Sequence, residues 1–169
     1  DMQEIKDFCS KYKNIIFDLR PKSLAKDDTS TIEVVSDLFN RMIQIEKKDT
    51  ILLLEPTSPI RQFKTIKSAI EIFEVKKLNS MVSAIKINNL IVSNVSGYLK
   101  NTFRLNTYQR QKRTKLYEIV GLFYINKVST LLKKGFLHNG TYLYEVSKEE
   151  GIDINELSDL NLARKILKK

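Results

Sequence analysis

At 169 residues, with 42% hydrophobic and 29% charged residues, the chain has the makeup of one globular domain with a sizeable core rather than of a disordered segment. One cysteine, Cys9, excludes an internal disulfide framework and any CxxC metal or redox motif, and no apolar stretch approaches the ~20 residues of a membrane span. A net charge of +9 fits a protein that gathers anionic ligands, and fits equally a lysine-rich surface that only maintains solubility.

From the start of the chain, Met2, Ile5 and Phe8-Cys9 have the spacing of one helical face over 2–12, with Cys9 as a small buried hydrophobe. Asn14–Leu19 reads as a short strand. Ser30-Thr31-Ile32-Glu33 is a capping box that opens a helix running to about Ile45, whose apolar residues Val34, Val35, Leu38, Phe39, Met42 and Ile45 recur with a period of 3.6. Thr50–Leu54 is a strand, and the helix after it turns Ile66, Ala69-Ile70 and Ile72-Phe73 toward a sheet. Past Ile87 the composition shifts to Asn, Tyr and basic residues in short alternating pieces, through about Arg113. Leu122–Ile125 resumes a core strand and Lys127–Leu132 a helix. Tyr142–Val146 alternates like an exposed strand. Glu156–Leu167 closes the chain as an amphipathic helix with Leu157, Leu160, Ala163 and Ile166-Leu167 on one face. This alternation of strand and helix predicts an α/β domain with a mostly parallel sheet covered by helices. No internal repeat is present.

The most informative segment is 52–61, Leu-Leu-Leu-Glu-Pro-Thr-Ser-Pro-Ile-Arg. An apolar run ends at a hydroxyl pair bracketed by prolines, and in open α/β sheets ligands sit just beyond the strands' carboxyl ends. Pro56 and Pro59 fix φ, so the polar side chains are presented with little residual freedom. A capped strand-to-helix turn accounts for the same letters. Thr57 and Ser58 read as loop-capping hydroxyls rather than nucleophiles, because no His–carboxylate relay accompanies them. The only histidine, His138, reads as a surface turn residue. Asp153, a carboxylate between Ile152 and Ile154, reads either as a metal ligand or as the N-terminal cap of the last helix. Arg110, Gln111 and Arg113 suit bidentate recognition of a carboxylate, and suit a solvated basic turn as well.

Together these segments resemble the acylneuraminate cytidylyltransferases. Segment 52–61 is similar to that family's "LLQPTSPLR". Leu19-Arg20-Pro21, Leu24-Ala25-Lys26-Asp27 and Thr29 resemble its "RPxxLAxDxT". Ser80-Met81-Val82-Ser83-Ala84 is similar to "SVVSV", and Arg110-Gln111 with Gly121, Tyr124 and Ile125 to "RQ…NGAIYI". Residues 151–160 resemble the metal-site segment "IDIDTExDL". These five ordered matches span nearly the whole chain.

The resemblance implies a Rossmann-like sheet of the nucleotide-diphospho-sugar transferase type, forming a single domain over 1–169, with residues 88–118 as an antiparallel arm for homodimerisation and substrate contact. It implies transfer of CMP from CTP to a sialic-acid-like sugar with release of pyrophosphate, in the cytoplasm, with Mg2+ as cofactor. Asp153 would be catalytic and would hold the metal with Asn155. Glu55, Thr57, Ser58, Arg61, Lys100, Arg110, Gln111 and Arg113 would contact substrates. The family's first strand and its Gly-containing nucleotide loop have no counterpart here, so the sequence as it stands is expected to be inactive alone. Three positions depart from the family pattern: Glu55 stands for Gln, Val120 for Asn and Asn155 for Asp. They motivate two other readings, a non-catalytic nucleotide-sugar module and a transferase for another nucleotide and sugar. A nucleic-acid binder, suggested by the basic stretch 110–115, has no recognisable binding motif. Neither nucleic acid nor a membrane is expected as a partner.

Overall fold

The computed structural model describes residues 2–26, 28–42, 45–88, 93–100 and 115–168. They fall into two compact units, 1–46 and 47–169.

In the first unit, helix α1 spans Met2–Cys9 and helix α2 spans Thr31–Arg41. The capping box expected at Ser30 is present: the Ser30 hydroxyl accepts from the Glu33 N–H, and the Glu33 carboxylate accepts from the Ser30 N–H at 2.8 Å. These bonds hold the Glu33 carboxyl below its ordinary pKa. The helix stops at Met42, which is extended, so it is shorter than the apolar period suggested. In the last turn Arg41 grips both carboxylate oxygens of Asp18 and one of Asp37. Asn14–Leu19 does not form the expected strand. A strand needs a hydrogen-bonded neighbour, and the described residues offer this segment none. Cys9 is half-buried and unpaired with any other cysteine.

In the second unit, β1 (Thr50–Leu53), β2 (Ser80–Ile87), β5 (Leu116–Lys127) and β6 (Tyr142–Glu145) form one mixed sheet in the order β1-β5-β2-β6. Both neighbours of β5 run antiparallel to it, while β2 and β6 are parallel. Three of the four strands therefore point the same way and only β5 is reversed. Helix α3 (Phe63–Val75) lays Ala69 and Phe73 on the sheet, where they join Met81, Val120, Leu122, Phe123, Ile125 and Val146 in the core. Helix α4 (Val128–Lys134) follows β5 and ends at Gly135, at φ 73°. Helix α5 (Leu157–Leu167) buries Ala163 and half-buries Leu160 and Ile166, whereas Leu157 and Leu167 are exposed, a narrower face than the sequence pattern predicts.

Strands β3 (Ser93–Val95) and β4 (Tyr98–Lys100) form a separate hairpin. Its two-residue turn, Ser96-Gly97, has positive φ at both positions, the primed geometry that matches strand twist.

The sheet has one large irregularity. Val82 pairs with Tyr124, yet Ala84 pairs with Ile119, so β5 carries extra residues opposite Ser83. The buried Ser83 hydroxyl fills the gap. It lies 2.7 Å from the Val120 carbonyl and 3.1 Å from the Phe123 carbonyl, and it accepts from the Phe123 N–H at 3.1 Å. This bulge turns Gly121 toward the loop that follows β1.

Candidate active site

Strands β1 and β6 share a direction, so their carboxyl ends lie at one rim of the sheet. They are also its two outermost strands, three places apart at ~4.8 Å per strand. The chain after β6 bridges that distance. Val146 is still bonded to the Ala84 carbonyl, and by Ile154 the backbone has reached the proline loop, where the Ile154 N–H donates to the Thr57 carbonyl at 2.8 Å. The segment carrying Asp153 and the segment carrying Glu55, Thr57 and Ser58 are thereby joined.

The proline loop begins with a β-turn. The Ser58 N–H donates to the Glu55 carbonyl at 3.2 Å, with Pro56 at the position that a fixed φ favours. The Glu55 N–H donates to the Gly121 carbonyl at 3.4 Å. Arg61 directs Nη2 to the Glu55 carbonyl (2.8 Å) and Nε to the Leu122 carbonyl (3.3 Å). These two N–H groups thus fasten the loop to β5, and burial lowers the guanidinium's pKa.

Polar side chains collect above the bulge. The Glu55 carboxylate folds over the bare Cα of Gly121. A Cβ there would lie 2.8 Å from Glu55 Oε2 and 3.1 Å from Ser58 Oγ, so the site needs glycine for close approach. Ser58 is 1% exposed and its hydroxyl has no partner, so it does not cap the loop as the sequence suggested. Asp153 Oδ2 accepts from Asn155 Nδ2 at 3.2 Å, while Asp153 Oδ1 is buried without a partner. Burial and then the Asp153 charge push the Glu55 carboxyl up. The Tyr124 phenol is pushed up by burial first and by Glu55 and Asp153 next, so it stays protonated as a donor.

Asp153 is not the cap of the last helix. That position belongs to Glu156, whose side chain accepts from the backbone of Asp159 while Asp159 accepts from the Glu156 N–H at 2.9 Å. Thr57 contributes its carbonyl and is otherwise exposed, and Asn155 is exposed beside Asp153. Val120 is a core residue, 5% exposed. Lys100 ends the β3–β4 hairpin, and Arg110, Gln111 and Arg113 lie outside the described residues. Among the described residues, no three His, Cys, Asp or Glu side chains converge as a metal-binding set. A separate cavity of about 550 Å3 opens toward the start of β1, lined by Leu52, Phe73, Lys48, Lys77 and Lys127 among others, away from these groups.

No protein-family model matches the chain. Among curated proteins it is 28% identical to the N-acylneuraminate cytidylyltransferase of Escherichia coli, across 90% of this chain and 37% of that one. It is 29% identical to the CMP-N,N'-diacetyllegionaminic acid synthase of Legionella pneumophila, across 99% of this chain and 75% of that one. By sequence, the chain is similar to the acylneuraminate cytidylyltransferases at 25–28% identity. It spans under two-fifths of the length of the cytidylyltransferases from E. coli and Streptococcus agalactiae. Among solved structures, the 4-diphosphocytidyl-2C-methyl-D-erythritol synthase from Anaerococcus prevotii superposes with a TM-score of 0.67 at 14% identity, covering 100% of this chain and 78% of that one. A second synthase of that name reaches 0.69 at 10% identity, over 97% and 75%. At such identities the likeness concerns the fold alone, an open mixed α/β sheet.

Against the pattern of the acylneuraminate cytidylyltransferases, the residue left without a role by the sequence was Tyr124. Its letter belonged to a motif, but only the reversed pairing of β5 with β1, which sets Leu53 opposite Tyr124, brings its ring beside the proline loop. Ser83 gave no signal at all, since one serine in an apolar strand predicts no bulge.

Proposed function

We propose that this chain belongs to an enzyme that transfers CMP from CTP to a sialic-acid-like (nonulosonic) sugar. A sugar hydroxyl attacks the α-phosphorus, the bond to the bridging oxygen of the β-phosphate breaks, and pyrophosphate leaves with its electron pair. Positioning and charge neutralisation supply most of the rate in such in-line transfers. The observation that carries the reading is the Ile154–Thr57 hydrogen bond, because it holds an unpaired buried carboxylate oxygen next to a rigid polar loop at one rim of the sheet.

In this reading the proline loop faces the acceptor sugar. Ser58 and Tyr124 donate hydrogen bonds to it, and Arg61 keeps the loop in register. Asp153, with the side-chain carbonyl of Asn155, would hold Mg2+. The donor set fits, since Mg2+ takes one or two protein oxygens and completes its shell with water and phosphate oxygens. When bound, the ion neutralises charge on the transferred phosphate. We further read Lys100, Arg110, Gln111 and Arg113 as sugar contacts on the arm 88–118, through which two copies pair, and the enzyme as cytoplasmic.

The test is pyrophosphate release by the full-length protein with CTP, Mg2+ and a panel of acidic sugars. Release well above background is expected with at least one sugar, and none with any sugar would refute the enzyme reading. The departures at Glu55 and Asn155 favour a second reading, a module that binds a nucleotide sugar without turnover. Saturable CTP binding with no pyrophosphate release would select it.

A further inference from the structure

The polar groups above Gly121 are unbalanced. Glu55 Oε2 and Asp153 Oδ1 are acceptors without a donor, Asp153 Oδ2 already accepts from Asn155 Nδ2, and the hydroxyls of Ser58 and Tyr124 are the other side-chain donors nearby. Glu55's carboxylate has no hydrogen-bond or ion-pair partner among the described residues. The nearby cation, Arg61, directs its Nε and Nη2 to main-chain carbonyls. Ser58 Oγ is buried and unpaired beside Gly121, so the floor formed by these side chains has hydrogen-bonding capacity that the protein leaves unused.

A ligand that satisfies such a floor must bring donors or positive charge. An N-acyl amide brings one donor and one acceptor, which a glutamine at this position would match and an ionised glutamate cannot. An ammonium or amidinium group brings only donors, and its charge-assisted bonds to carboxylates are the strong kind. Resting on the reading above that the proline loop faces the acceptor, we propose that Glu55 selects an acidic sugar bearing a cationic nitrogen substituent, a protonated amine or amidine, over its N-acyl counterpart. Gly121 is part of the device, since a Cβ there would lie 2.8 Å from Glu55 Oε2 and displace the carboxylate from its present place.

The test uses two sugars that differ only in this substituent, measured by calorimetric binding to the full chain and by pyrophosphate release with CTP and Mg2+. The wild type should prefer the cationic sugar about tenfold or more, the scale of one charge-assisted hydrogen bond. Glu55→Gln should cut that ratio about tenfold by weakening the cationic sugar while using the N-acyl sugar better. Equal binding of the two sugars by the wild type, or an unchanged ratio in the variant, overturns the proposal, and the wild-type ratio decides alone if the variant does not fold. Pyrophosphate release that favours the N-acyl sugar overturns the selectivity and leaves the transferase standing. Selective binding of the cationic sugar with no release does the reverse. If Glu55→Gln weakens Mg2+ binding as much as Asp153→Asn does, Glu55 serves the ion instead and the proposal falls.

Discussion

The main-chain N–H of Ile154 donates to the carbonyl of Thr57 at 2.8 Å, tying together two loops almost a hundred residues apart in sequence. Both are irregular, and neither lies within a strand. Their meeting places Glu55 close enough to Asp153 for the Glu55 carboxyl to feel the Asp153 charge.

Asp153→Asn should reduce turnover about 100-fold or more, the scale lost when one preorganised charge is removed from an active site. The fold should not suffer, because Asp153 Oδ1 is buried without a partner and its charge contributes no bond there. Pyrophosphate kinetics beside thermal melts check this, and undiminished turnover would remove Asp153 from the chemistry.

Glu55→Gln should change how stability depends on pH. Burial and Asp153 raise the Glu55 carboxyl above its ordinary value of 4.5, so the folded chain binds this proton more tightly than the unfolded one. Its contribution favours the fold below the unfolded pKa and is lost as pH rises through the folded value. The variant should therefore melt higher than the wild type near neutrality, with the gap closing below pH 4.5. Because Glu55 is substantially solvated, the gap should stay below about 1 kcal/mol. Melting curves across that range that run parallel would contradict it.

Gly121→Ala puts a methyl group 2.8 Å from Glu55 Oε2 and 3.1 Å from Ser58 Oγ. The end of a flexible side chain can yield, so the cost should be about 1–2 kcal/mol, within the range for mild overpacking. In a Glu55→Ala background most of that cost should vanish. A double-mutant cycle in denaturant measures the coupling, and strict additivity would mean the two residues do not press on each other.

Ser83→Ala should lower stability by about 1–3 kcal/mol, the penalty for stranding buried partners of a hydroxyl. With the Phe123 N–H left unpaired and the hydroxyl proton withdrawn from the Val120 and Phe123 carbonyls that share it, the bulge should loosen and hydrogen exchange at Phe123 should accelerate. Unchanged exchange there would mean the bulge is held by the strand pairing alone.

Much of this architecture was legible because it rests on local patterns. The Ser30 capping box, the 3.6-residue period of α2 and α3, the apolar run of β1 and the end of α5 are set by residues close in sequence, and each formed near its expected place. The two proline positions likewise announced a rigid loop, and the turn at Pro56 is there. What could not be read were consequences of pairing at long range. Asn14–Leu19 has the apolar content of a strand but no neighbour to bond. Leu122–Ile125 was visible as core strand, yet nothing local indicated that it runs against its neighbours, or that the strand extends from Leu116 to Lys127. At the candidate site, the types and order of Glu55, Ser58 and Asp153 were in the letters. That Ser58 would lack a partner, and that Tyr124 would stand beside two carboxylates, depends on how β5 threads the sheet.

The reversal of β5 also dictates the order of assembly. Among the described residues, strand β1 reaches the other strands of its sheet only through β5, which follows it by more than sixty residues. Gly121, against which the carboxylate of Glu55 rests, and Tyr124 arrive on that same late strand. The approach of Glu55 to Gly121 cannot form until the middle of the sheet has been inserted, and pairings of such sequence separation close slowly.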